Sequence, residues 1–61
     1  MTDSASSQAP RILVVEDEFP LRNAIGDCLG AEGYRVLTAA DGEEAIDKAT
    51  TQKPDLVEVA I

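Results

Sequence analysis

The sequence has no histidine and no tryptophan, a single cysteine, and only one phenylalanine and one tyrosine. The lone cysteine, Cys28, excludes an internal disulfide and agrees with a reducing compartment. Basic residues are scarce as well: five Lys and Arg stand against twelve Asp and Glu, for a formal net charge of −7. Phosphate contacts need a basic face, so direct nucleic-acid binding is not expected, and anionic membrane surfaces are disfavoured for the same reason. No stretch approaches the roughly 20 apolar residues of a membrane span. The first nine residues lack the basic start and apolar segment of a secretory signal, and the expected location is the cytoplasm. A chain of 61 residues with two aromatic side chains allows one domain at most, with a marginal core.

What is present begins after a polar lead-in. Residues 1–10 are mostly Ser, Ala, Thr and Gln, show no apolar periodicity and close on Pro10, which reads as a disordered N-terminal tail. The domain is expected over residues 11–61. It opens with Arg11-Ile12-Leu13-Val14-Val15, four consecutive branched aliphatics that read as a strand buried on both faces, and breaks straight into Glu16-Asp17-Glu18. Three carboxylates at the carboxyl end of a buried strand repel one another, and a divalent cation or a cationic group is the usual reason for keeping them there. Open α/β sheets also place their working residues at the carboxyl ends of strands.

Pro20 suits a first helical turn. Leu21, Ile25, Cys28 and Leu29 follow at one-face spacing, with Ala24 widening the stripe, and Gly33 is placed for a left-handed cap after Glu32. Cys28 is expected in the core, since nothing nearby would make it a thiolate. Residues 34–39 read as a second, more polar strand suited to a sheet edge. Asp41 with Glu44 three residues on resembles a capping box, so Glu43 and Glu44 are assigned to helix-start chemistry rather than to a site. Ala45, Ile46 and Ala49 are expected on the buried face of that helix, with Lys48 and Lys53 as surface charges. Lys53-Pro54-Asp55 turns the chain into a third strand, 56–61. Strands alternating with helices imply right-handed crossovers and a parallel sheet. The expected order is 2-1-3, with one helix on each face and a ligand-binding switch point between strands one and three.

These residues carry a resemblance. Ile12 to Glu18, Leu21-Arg22, Gly33 to Val36, Ala40 to Ala45 and Lys53 to Val57, in that order and without an evident gap, resemble the receiver domain of bacterial response regulators. The resemblance implies a flavodoxin-like α/β fold, here a partial βαβαβ unit with a three-stranded parallel sheet. It also implies a place in two-component phosphorelay signalling, in which a histidine kinase passes a phosphoryl group to an aspartate. Glu16 and Asp17 match the family's acidic pair, which holds Mg2+. A hard cation at oxygen ligands neutralises phosphoryl oxygens and aligns the transfer.

Two departures shape the functional expectation. The family's phosphoacceptor aspartate corresponds to Ala60, which has no oxygen nucleophile. Asp55 precedes the third strand and should lie at the far end of the sheet, too distant to substitute. Glu58 stands where the family has an apolar residue; a carboxylate there is costly if buried, and harmless if that face is open to water. The family's later strands, with the hydroxyl and lysine that contact the phosphoryl group, find no counterpart up to Ile61. The expectation is a truncated receiver that is not an enzyme, has no catalytic residue or phosphoacceptor, and binds Mg2+ weakly or not at all. The candidate partners are a histidine kinase or a full-length response regulator. An alternative is a protein-binding fragment docking through its first helix by way of Ile25 and Leu29. A metal-dependent phosphotransfer enzyme of the toprim type is disfavoured, because neither the glycine after the glutamate nor the later Asp-x-Asp pair is present.

Overall fold

The computed structural model describes residues 9–60. The tail expected over 1–10 therefore falls almost wholly outside the described residues, as does Ile61. Five elements follow in order: β1 (Arg11–Val15), α1 (Phe19–Ala31), β2 (Arg35–Ala39), α2 (Gly42–Gln52) and β3 (Leu56–Val59). The sheet is parallel and ordered β2-β1-β3, as the alternation of elements requires. β1 takes the centre because Ile12, Leu13, Val14 and Val15 can all be buried, two to each face.

The register sorts the side chains onto those faces. Ile12 and Val14 lie beside Val36 and Thr38 of β2, whereas Leu13 and Val15 lie beside Leu37 and Ala39. On the first of these faces sits α1, whose Gly26 comes close enough that an added Cβ would meet Val36 Cγ1 at 3.6 Å. On the second face Ala45 and Ala49 of α2 pack against the cluster of Leu13, Val15, Leu37 and Ala39. The helices thus cover opposite faces.

Both helix ends follow from local chemistry. α1 begins with Pro20 in its first turn and closes on Gly33 at φ 98°, a conformation glycine adopts without steric penalty. There the Gly33 N–H donates to the Gly30 carbonyl and the Tyr34 N–H to the Leu29 carbonyl, the paired bonds of a Schellman motif. At α2, Asp41 accepts from the Glu44 N–H at 2.9 Å, and Glu44 reaches back to accept from the Ala40 N–H at 2.9 Å. This is a capping box displaced by one residue.

The Ala40 bond and the neighbouring Lys48 hold the Glu44 carboxyl below its ordinary pKa of 4.5. A lowered folded pKa means the carboxylate adds stability above its unfolded pKa, and that stability is lost as pH falls through the folded value. Protonation should therefore free the Ala40 amide and fray the start of α2 only as the pH falls below 4.5. Amide exchange at Ala40 and Glu44 followed from neutral to acid pH measures this, and Glu44→Gln should flatten the profile.

Several sequence expectations need correction, those for Cys28 and Ile46 from one cause. Both helices pack over β1 and β2, and neither contacts β3. The flank of each helix that overhangs β3 is consequently bare. Cys28, expected in the core, is exposed, and Ile46, expected on the buried face of α2, is 70 % exposed. Ile25 and Leu29 are half-buried on α1. Lys48 is more than a surface charge. It is half-buried, its Nζ donates to the Thr38 carbonyl at 2.6 Å, and it pairs with Glu44 at 3.2 Å. β3 is exposed along its whole length, Val59 at 65 %, so Glu58 stands in water and carries no burial cost.

Candidate functional site

The site forms where β1 and β3 end side by side. β1 delivers Val15 into the core, and the next residue, Glu16, keeps the strand's alternation and turns inward, 2 % exposed. Its N–H donates to the Ala39 carbonyl, so the sheet still holds the backbone there. Asp17 and Glu18 follow on the exposed loop. On the β3 side, the Ala60 N–H donates to the Val15 carbonyl at 2.9 Å. The register that pairs Val15 with Val59 therefore sets Ala60 alongside Glu16, about 4.8 Å away across the strands. The alternation puts their Cβ atoms on one face.

The three acids, alike in the sequence, have different environments. Glu16 Oε2 accepts the Glu18 N–H at 3.1 Å, while Glu16 Oε1 is buried with no partner among the described residues. A buried carboxylate oxygen with nothing to accept from is costly, and a cation bound beside it would remove that cost. Asp17, exposed beside it, can supply a second oxygen. Among the described residues no three His, Cys, Asp or Glu side chains converge as a metal cage. The donor set therefore fits Mg2+ only in part, as two carboxylates with water completing the shell.

Arg22 is the cation of this loop, and sequence reasoning gave it no role. Its Nη1 donates to the Glu16 carbonyl at 2.8 Å and its guanidinium lies 5.4 Å from the centre of the Phe19 ring. The arginine pins the backbone that presents Glu16 while leaving the carboxylates free. Its position one turn into α1 was readable, but its target was not, since the bond goes to a main-chain oxygen.

At the opposite end of the sheet, Asp55 Oδ2 accepts the Arg11 N–H at 2.8 Å, and the Asp55 N–H donates to the Arg11 carbonyl at 2.9 Å. Asp55 thus fastens the start of β3 to the start of β1, a full strand length from Glu16, as its position in the sequence suggests.

Comparison with known proteins places this arrangement. The family model for the response regulator receiver domain matches residues 12–60. The chain is 51 % identical over 47 residues to the alkaline phosphatase synthesis transcriptional regulatory protein PhoP of Bacillus subtilis, covering 77 % of this chain and 20 % of that protein. It is 40 % identical over 57 residues to the transcriptional regulatory protein PdtaR of Mycobacterium tuberculosis, 92 % of this chain and 28 % of the relative. It is 38 % identical over 47 residues to sporulation initiation phosphotransferase F of Bacillus subtilis, 77 % of this chain and 38 % of the relative. The chain thus spans between one fifth and two fifths of the length of these curated relatives.

Proposed function

This chain belongs to the response regulator receiver domain family, and we propose that it is a partial receiver of two-component signalling that does not itself accept phosphate. One observation carries the reading. The backbone bond from Ala60 to Val15 puts Ala60 beside the buried Glu16, where an acceptor oxygen is needed, and a methyl group offers none. Asp55, the nearest aspartate in the sequence, is engaged at the other end of the sheet.

The remaining residues keep the receiving half of the chemistry without its nucleophile. Glu16 and Asp17 would hold Mg2+, which would supply positive charge against phosphoryl oxygens. Arg22 fixes the loop that carries both acids. Glu18 gives its N–H to Glu16 and so orients that carboxylate. The chain acts in this reading as a signalling module rather than an enzyme. It works in the cytoplasm, with a histidine kinase or a full-length response regulator as its partner. No helix among the described residues is long and apolar enough to cross a membrane.

Incubation with acetyl phosphate and Mg2+, followed by intact-protein mass measurement, tests the reading. The expected result is no acid-labile phosphoryl adduct. A stoichiometric adduct on any aspartate would overturn it.

The alternative, a protein-binding fragment without phosphorelay chemistry, gains support from the bare flank of α1. That flank presents Leu21 and Cys28 to solvent in place of the half-buried Ile25 and Leu29. Cross-linking of this chain to a receiver-binding partner should then weaken on Leu21→Glu and survive loss of the acidic pair.

A further inference from the structure

Arg22 meets the acidic loop twice, and its two contacts straddle Asp17. Its backbone N–H donates to the Glu18 carbonyl at 2.8 Å, the first-turn bond that most residues at this place in α1 would make. The second contact belongs to the side chain, whose Nη1 donates to the Glu16 carbonyl at 2.8 Å. One helical residue therefore ties down both ends of the loop, with Asp17 between them. The Phe19 ring, 5.4 Å from Arg22 Cζ, gives the guanidinium a face to rest on.

Glu16 is thereby held at three of its four hydrogen-bonding atoms. Its N–H donates to Ala39, its carbonyl accepts from Arg22, and its Oε2 accepts from the Glu18 N–H at 3.1 Å. Oε1 alone is left over, buried and without a partner among the described residues. The Glu18 N–H reaches Oε2 only while the chain bends at Asp17, and the Arg22 side chain closes that bend. The bond to a main-chain oxygen thus acts on the carboxylate at one remove.

The choice of partner matters. A guanidinium beside three carboxylates would ordinarily pair with one of them, yet among the described residues the ion pair formed is Lys48 with Glu44. Arg22 takes the neutral carbonyl and leaves Glu16 Oε1 and the Asp17 carboxylate to other ligands.

For a cation at those oxygens, the charge and the geometry of Arg22 act in opposite directions. A positive group nearby lowers cation affinity, by roughly twofold to threefold at physiological salt. Ordering the ligands beforehand raises it, because that cost is no longer met on binding. A partly buried bond from a charged donor is worth about tenfold or more, so the geometric effect is the larger.

We propose that Arg22 is a positioning residue for cation binding at Glu16 and Asp17, raising the affinity although its own charge opposes the cation. This role rests on the reading of those two acids as cation ligands.

Arg22→Met in the full chain separates the two effects by sign, since it removes the charge and the bond together. Mn2+ titration, followed by paramagnetic broadening of the Glu16 and Asp17 amides, should give an affinity about threefold or more below wild type. Repulsion acting alone would make the variant bind more tightly. Without metal, exchange of the Glu18 N–H should accelerate about tenfold, while the Tyr34 N–H at the other end of α1 keeps its rate. Exchange that rises equally at both amides would reflect a general loss of stability and would overturn the proposal. If Arg22→Met does not fold, Arg22→Lys decides. Lysine keeps the charge but loses the planar group that rests on Phe19, and affinity should fall by about twofold or more. Binding at Glu16 and Asp17 that is unchanged or tighter in the variant overturns the role of Arg22 and leaves the cation reading standing. Broadening that fails to single out Glu16 and Asp17 in the wild type overturns both.

Discussion

Leu13→Ala should abolish the cooperative fold altogether. Leu13 is fully buried at the middle of the central strand, in contact with the cluster that holds α2 to the sheet. Truncating such a leucine costs about 2–5 kcal/mol, and a domain with so small a core holds no more than a few. Among the described residues the buried apolar ones are Ile12, Leu13, Val14, Val15 and Ala39, four of them in one strand, so neighbours cannot compensate. Dispersed amide resonances in the wild type, collapsing to the narrow range of an unfolded chain in the variant, are the expected observation. Val57→Ala is the matched control. Its side chain is exposed on β3, and the change should stay within about 0.5 kcal/mol. If both variants keep wild-type dispersion, the core lies elsewhere than the structure places it.

The second large effect concerns the empty position beside Glu16. Ala60→Asp adds a third carboxylate on the face where the orphaned Glu16 Oε1 waits for a partner. Affinity for a hard cation rises with the number of charged oxygen ligands, and Mg2+ or Mn2+ should bind the variant at least about tenfold more tightly than the wild type. The same substitution without metal should destabilise the chain, because a further carboxylate joins Glu16 and Asp17 with no cation to separate them. Calorimetric titration gives the affinity, and thermal unfolding with and without Mg2+ gives the sign change. A variant as stable as the wild type without metal, and no tighter in binding it, would show that position 60 does not face Glu16.

Much of this could be read from the residues. The run Ile12 to Val15 specified a strand buried on both faces, and its central place follows. Gly33 and Asp41 marked where one helix stops and the next begins. The displacement of Asp55 to the far end of the sheet followed from strand length alone. Cys28 and Ile46 were misplaced because helical periodicity tells which residues share a face, whereas their exposure depends on how far the sheet extends beneath that face. Lys48 and Arg22 were missed for another reason: each bonds a main-chain carbonyl, and such a target leaves no mark in side-chain spacing. The distinction among Glu16, Asp17 and Glu18 also needed the fold. Only continuation of the β1 alternation decides which carboxylate turns inward.

We propose that Glu16 and Asp17 together hold a divalent cation next to Ala60. Paramagnetic broadening by Mn2+, followed amide by amide in the wild-type chain, tests this most directly. Broadening is expected to start at Glu16, Asp17 and Ala60, at high metal concentration, and to spare the equally acidic start of α2. Broadening that begins at Glu43 and Glu44, or spreads evenly over the acidic surface, would contradict it.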